Sequence, residues 1–313
     1  MCAILDAEGN VLSYATGRAI GSSLLDQQTI EFNLRTVVFD ALTRSGLSVE
    51  DIGVASFSVC DIDTKELMSN MEGIILKLGF KGKVLLEPDF VAAYYVATHG
   101  KPGVGVIAGT GSMAYGENGS GGKARAGGWG WLINDEGGGF WIGARALNAV
   151  ARAYDGMNKE TALSKTICKE LNLNDCLDLM NLACKEGSAG PLLASRIAPL
   201  VDLAAQEGDS QAIRILEQAA HELSFMALTV SRKLELAKKR HIVGCVGSVF
   251  KSNIVLENFK EIMEREDEGV EIRGPYIDYA PLMGPAIVAF KELRTESSEM
   301  LFETINRNLE KIS

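Results

Sequence analysis

Val104-Gly105-Val106-Ile107-Ala108-Gly109-Thr110-Gly111-Ser112-Met113-Ala114-Tyr115 is the stretch on which the architecture turns. Two apolar runs flank a Gly-Thr-Gly-Ser turn, which reads as strand, tight turn, strand. Glycines in such a turn let the backbone approach a ligand closely, and successive N–H groups can form a nest for an anion. Thr110 and Ser112 add hydroxyl donors. The same tetrapeptide also suits a plain hairpin that needs glycine for positive φ.

Upstream, strand and helix signals alternate. Cys2-Ala3-Ile4-Leu5 and Val11-Leu12-Ser13-Tyr14 flank an acidic, Gly-containing turn and read as a hairpin. From about Gln28 to Ser45, Ile30, Leu34, Val37, Val38, Ala41 and Leu42 recur at helical spacing, and Gly46 stops the helix. Val54 to Val59 is an expected strand, Met68 to Gly79 a helix, Val84 to Glu87 a strand, and Asp89 to Thr98 a helix entered through Pro88. This alternation argues for an α/β layered domain.

Downstream the texture changes. Glycine makes up more than a third of residues 100–143, and a second hairpin ends near Gly127. The chain then reads as helical from Phe140 to about residue 240, followed by a strand over His241 to Val246. Pro281-Leu282-Met283-Gly284-Pro285-Ala286 opens a last pair of helices. The expected division is an N-terminal α/β domain of residues 1–98, joined by the C-terminal helix of about 296–313. Residues 99–295 form a second α/β domain with a helical insertion.

Composition narrows the function. The 313 residues are 47% hydrophobic and 23% charged, enough apolar content for a large core and too little charge for extended disorder. A formal net charge of −10 disfavours nucleic acid as a partner. It does not disfavour a nucleotide phosphate, which backbone N–H groups and a metal ion can hold. No apolar run approaches the ~20 residues that span a bilayer, and no signal sequence precedes the fold, so the expectation is a cytoplasmic protein without a membrane partner. Cys2, Cys60, Cys168, Cys176, Cys184 and Cys245 form no CxxC pair and are read as free thiols.

Two further groups could carry chemistry. Gly127-Gly128-Trp129-Gly130-Trp131-Leu132-Ile133-Asn134-Asp135-Glu136-Gly137-Gly138-Gly139 sets two tryptophans and two acids among glycines. Carboxylates accept hydrogen bonds from sugar hydroxyls, and aromatic faces cover sugar C–H surfaces. Asp89, after Glu87-Pro88, places a carboxylate at a strand end where an α/β sheet presents its catalytic groups. A helix N-cap is the plainer alternative for Asp89. His221, His99 and His241 read as ordinary residues, and Lys238-Lys239-Arg240 as a solvated helix C-terminus.

Together these pieces resemble the N-acetylglucosamine kinase and BadF/BadG ATPase family, within the superfamily of sugar kinases, heat-shock chaperone ATPases and actin. Four motifs carry the resemblance in order: Glu87-Pro88-Asp89, Gly109 to Ser112, Gly127 to Gly138, and Val246-Gly247-Ser248-Val249-Phe250. It implies a two-domain actin-like (ribonuclease-H-like) α/β fold with a central interdomain cleft. It also implies ATP with Mg²⁺, a small sugar substrate and a homodimer. Residue by residue, Asp89 would be the general base, and Gly109, Thr110, Gly111 and Ser112 a phosphate loop. Asp135 would hold sugar hydroxyls with Trp129 and Gly130 shaping the pocket, and Gly247, Ser248 and Gly284 would lie against the adenosine. Mg²⁺ would be held through the ATP phosphates.

The chain also departs from the family pattern. The resemblance places a strand and a DGGGT-type phosphate loop ahead of Met1-Cys2-Ala3-Ile4, so these are expected to be missing, through a start-site error or a truncation. Gly17-Arg18-Ala19-Ile20-Gly21-Ser22 stands where the family has a sugar-binding Asn, and Ser58-Val59-Cys60 replaces a Ser-Gly-Gly stretch. Arg18 could pair with a sugar-acid carboxylate in bidentate fashion, which makes a 2-keto-3-deoxygluconate kinase the alternative to a hexose or N-acetylhexosamine kinase. A BadF-type activator ATPase would need paired cysteines for a [4Fe–4S] cluster, and no two cysteines lie close in sequence within a Gly-rich loop. A sugar-binding regulator without transferase activity is the remaining reading.

Overall fold

The structure, a computed structural model, describes residues 1–18, 20, 25–60, 62, 64–181, 190–277, 280–293 and 299–310. The chain divides into two compact units, Met1–Lys101 with Tyr276–Ser313, and Pro102–Pro275. Residues 99–101 and 276–295, expected in the second domain, therefore belong to the first unit. Residue 276 is where the chain returns, because the helix beginning at Ala280 packs on the helix that starts at Asp89.

In the first unit, β1 (Cys2–Leu5) and β2 (Val11–Ala15) pair antiparallel, with Cys2 opposite Ala15. The Asp6 carboxylate accepts the N–H groups of Glu8 at 3.0 Å and Asn10 at 2.8 Å, which closes the turn. Helix α1 (Gln27–Ser45) starts at Asp26, whose side chain caps Thr29 N–H, and ends on left-handed Gly46. Its buried face holds Leu34, Val37, Val38, Ala41 and Leu42, the positions expected from helical spacing. β3 (Val54–Val59), α2 (Lys65–Leu76), β4 (Lys83–Pro88) and α3 (Asp89–Thr98) follow, and β3 pairs parallel with β4 from Val54 opposite Lys83 to Val59 opposite Pro88.

The second unit is built on a five-stranded mixed sheet. β5 (Gly103–Ala108) lies at its centre, antiparallel to β6 (Ser112–Glu117) and parallel to β8 (His241–Val246). The outer strands are β7 (Lys123–Gly127) and β9 (Val270–Tyr276), in the order β7-β6-β5-β8-β9. Every residue of β8 is buried, as expected for an inner strand covered on both faces. Between β7 and β8 the chain forms α4 (Gly139–Tyr154), α5 (Ala162–Glu170), α6 (Gly190–Gln206) and α7 (Ser210–Lys233). Gly143 lets α4 and α6 touch: a Cβ there would stand only 1.8 Å from the carbonyl oxygen of Ala194.

Helix α8 (Asn253–Glu266) precedes β9; α9 (Ala280–Glu292) and α10 (Glu299–Glu310) return to the first unit. Helix α7 ends at Lys233, so Lys238-Lys239-Arg240 lies in the turn leading into β8 and is not a helix C-terminus. Among the described residues, no helix is long and apolar enough to cross a membrane. Ala19, Gly21, Ser22 and Cys184 lie outside the described residues.

Candidate functional site

The parallel pair β5–β8 ends with Ile107 opposite Val246, and both strands run directly into glycine turns. A ligand of an α/β sheet binds beyond the carboxyl ends of its parallel strands. Gly247 follows β8 at φ 111°, and a Cβ there would stand 2.4 Å from Ala108 O and 3.2 Å from Gly109 N. The Gly109 turn and the Gly247 turn are thus in close contact through their backbones. Ser248 follows as an exposed residue opening a short 3₁₀ turn.

The Gly109 turn is clamped from both sides. Gly109 N–H donates to Gly111 O at 3.0 Å, and the first amides of α4 dock onto it. Gly139 N–H donates to Gly109 O at 2.8 Å and Phe140 N–H to Thr110 O at 2.9 Å. The Ser112 hydroxyl is not open to a ligand, because it is buried and donates to Glu136 O at 2.6 Å. Among the described residues, the Thr110 and Gly111 amide N–H groups have no acceptor. With Thr110 exposed at the tip, the donor set that remains is two backbone amides and one hydroxyl.

The tryptophan-rich loop is fixed to the same turn through Asp135. This residue is 8% exposed and sits at φ 72°, a left-handed conformation that Asp tolerates at modest cost. Its carboxylate lies against Gly111, where a Cβ would be 2.5 Å from Oδ2. Burial pushes the Asp135 carboxyl above its ordinary value. The amides of Ser112 and Gly130 oppose that by bonding the charged form, and the charge of Glu136 adds to it. Beside it, Asn134 has a buried Oδ1 without a hydrogen-bond partner among the described residues, a feature not legible in the sequence. Trp129 is 63% exposed with the Arg125 guanidinium 5.3 Å from its ring centroid. Trp131 meets Phe140 edge-on at 5.3 Å, and Gly130 is exposed at φ 90°.

In the first unit, Asp89 is exposed at the first turn of α3, directly after β4. The N-cap of α3 is Pro88, with no side-chain cap bond, so the plainer role as an N-cap is not the one Asp89 plays. Gly284 is buried in α9, where a Cβ would stand 2.5 Å from Ala92 O of α3. That helix contact accounts for the glycine without a nucleotide. Arg18 follows β2, exposed and without a partner among the described residues.

A sequence profile of the BadF/BadG/BcrA/BcrD ATPase family matches residues 1–289. An N-acetylmuramic acid/N-acetylglucosamine kinase of Clostridium acetobutylicum is 31% identical over 260 residues, covering 83% of this chain and 84% of that protein. An N-acetyl-D-glucosamine kinase of Dictyostelium discoideum is 33% identical over 208 residues, covering 65% of this chain and 64% of that protein. Among solved structures, a candidate N-acetylglucosamine kinase of Chromobacterium violaceum superposes with a TM-score of 0.70 at 22% identity, covering 90% of both chains. That last likeness speaks to the fold.

Proposed function

The chain belongs to the BadF/BadG/BcrA/BcrD ATPase family, and from that premise we propose that it is an ATP-dependent sugar kinase acting on a hydroxyl of an N-acetylhexosamine. The observation that carries the reading is the Gly109–Ser112 turn at the carboxyl ends of β5 and β8, with the amides of Thr110 and Gly111 without acceptors among the described residues. Cβ atoms are sterically barred at Gly111, Gly138 and Gly247, so backbone rather than side chains faces the space a phosphate would take. These residues fit the phosphates of a nucleotide. The 31% identical relative, which acts on two N-acetylated sugars by its name, supports the acceptor class.

Bound ATP with Mg²⁺ supplies the γ-phosphoryl group and neutralises developing charge. Asp89 accepts the proton of the attacking sugar hydroxyl, a role its exposed position at the end of β4 supports. Thr110 and Gly111 hold phosphate oxygens, while Gly247 and Ser248 shape the adenosine side. Asp135 accepts hydrogen bonds from sugar hydroxyls, with Trp129 and Gly130 beside it. Gly284 is left out of this set, since helix packing accounts for it. The actin-like two-domain organisation is part of the same proposal, supported by the likeness of fold.

Arg18 favours a second reading in which the acceptor carries a carboxylate, as N-acetylmuramic acid and 2-keto-3-deoxygluconate do. An exposed guanidinium with no partner among the described residues is suited to that group. The deciding experiment is ATP consumption measured against N-acetylglucosamine, N-acetylmuramic acid, glucose and 2-keto-3-deoxygluconate. Sugar-dependent turnover establishes the kinase and its acceptor class; turnover unaffected by any sugar overturns it.

A further inference from the structure

Cys168 and Cys176 hold their sulfurs 3.5 Å apart, and both residues are half-buried. Backbone hydrogen bonds at the end of α5 set that spacing. Asn172 N–H donates to Lys169 O at 3.2 Å, Asn172 takes φ 54°, and Leu173 N–H turns back to Cys168 O at 2.8 Å. A left-handed residue between two such bonds is a standard way for a helix to stop and reverse the chain. The returning turn is tied in its own right. The amides of Asn174 and Asp175 donate to Asp178 Oδ2 at 3.2 and 3.4 Å, and Asp178 N–H donates to Asp175 O at 3.0 Å. Leu171, Cys176 and Leu179 then pack on the core that also holds Leu163 and Ile167 of α5. The two sulfurs therefore meet because the backbone brings them together, not through two long side chains that happen to touch.

A disulfide needs its sulfurs about 2.05 Å apart, so closure asks for an approach of about 1.5 Å, within reach of a small side-chain rotation. We propose that Cys168 and Cys176 form a reversible oxidation site, resting as two thiols and closing to a disulfide when a low-molecular-weight disulfide accepts their two electrons. Burial and the hydrogen bond with Cys176, with the charges of Asp175 and Asp178 adding to them, push the Cys168 thiol up to about 11. It stays protonated near neutral pH, so the first attack falls to Cys176. That thiolate attacks one sulfur of the oxidant; the oxidant's S–S bond breaks, and one small thiolate leaves and takes up a proton. Cys168 then gives up its proton and attacks Cys176 Sγ, the mixed S–S bond breaks, and the second small thiol leaves. Two protein thiols are oxidised and one small disulfide is reduced to two thiols. Burial also pushes the thiols of Cys2 and Cys245 up, to about 11 and about 12, which disfavours them as competitors. This inference is independent of the kinase reading.

The test uses the full 313-residue chain, reduced and then equilibrated with mixtures of reduced and oxidised glutathione. After an acid quench, the free thiols are alkylated in denaturant and the cysteines are mapped by mass spectrometry. The expected product is a bridge between Cys168 and Cys176, lighter by two hydrogens, with the other cysteines alkylated and both thiols recovered by dithiothreitol. At one glutathione ratio, the proportion of bridged to open chain should be at least about tenfold higher in the folded chain than in urea, because the fold holds the sulfurs together. Cys168→Ser should accumulate glutathione on Cys176, a mixed disulfide that the wild-type chain resolves. Wild-type chain that keeps glutathione on either cysteine without bridging overturns the proposal, whatever the variant does. So does a bridge from either of them to Cys184. A proportion no higher in the folded chain than in urea overturns it too, since nearness in sequence alone would then account for the pair. Two thiols left unreacted in the folded chain while the unfolded chain bridges also overturn it.

Discussion

Gly111 and Asp135 are packed so closely that a Cβ at position 111 would stand 2.5 Å from Asp135 Oδ2. The contact ties the proposed phosphate turn to the proposed sugar loop, so neither can shift without the other. Gly111→Ala must therefore move the carboxylate or deform the turn, and overpacking of that kind costs about 1–3 kcal/mol. The expected outcome is a lower unfolding midpoint together with a raised KM for ATP and for the sugar. Denaturant melts and initial-rate kinetics check it; wild-type values for both would show that the two loops are not coupled.

Asp89 offers the cleanest separation of chemistry from folding. It is exposed in the first turn of α3, so the near-isosteric Asp89→Asn should change stability little. Loss of a general base lowers kcat by a factor of about 10²–10⁴. Substrate KM values should stay close to wild type. A kcat within a few-fold of wild type would remove Asp89 from the catalytic role.

The parts of the site that the sequence made legible are those held by local chemistry. Gly109 to Ser112 reads as a turn because its glycines sit between two apolar runs, and the hairpin is there from Gly103 to Glu117. Gly46 as the stop of α1 and Pro88 as the entry to α3 were visible for the same reason. What stayed hidden depends on contacts distant in sequence. β9 carries Gly274 and Pro275, which argue against a strand when read locally, yet it is the outer neighbour of β8. His241 reads as an ordinary residue at the edge of a segment. It is 3% exposed, and its Nε2 lies 3.1 Å from Ser231 Oγ and 3.7 Å from Asp267 Oδ2. The buried use of the Ser112 hydroxyl could not be read either, because its acceptor, the Glu136 carbonyl, is 24 residues away.

Asp209 joins the starts of two helices. Its Oδ1 caps Gln211 and Ala212 of α7, while Oδ2 accepts from Thr161 Oγ1 at 2.9 Å and Ala162 N at 2.7 Å at the start of α5. Burial pushes its carboxyl up, but the hydrogen bonds from Ala212, Ala162, Thr161 and Gln211 outweigh it, and the net shift is downward. A lowered folded-state pKa gives stability that is present above the ordinary value of 3.8 and is lost as pH falls. Asp209→Ala should cost about 2 kcal/mol near neutral pH, and the difference from wild type should shrink on acidification. Urea titrations across the acidic range measure it; a constant difference would mean the caps do not depend on the charge.

Asp135 gives the opposite sign. Its carboxyl is raised, chiefly by burial, so the folded chain keeps that proton to a higher pH than the unfolded chain does. Between 3.8 and the raised value, the folded state binds more protons. The contribution of Asp135 to stability is therefore full below that window and is lost as pH rises through it. Asp135→Asn keeps an acceptor for the amides of Ser112 and Gly130 but has no proton to lose. The stability of wild type relative to Asp135→Asn should accordingly fall as pH rises above 3.8. Paired denaturant melts at each pH give this difference directly, because other carboxylates titrate alike in both chains and cancel. A difference that grows with pH would mean that the two amides hold the carboxylate more strongly than burial opposes it.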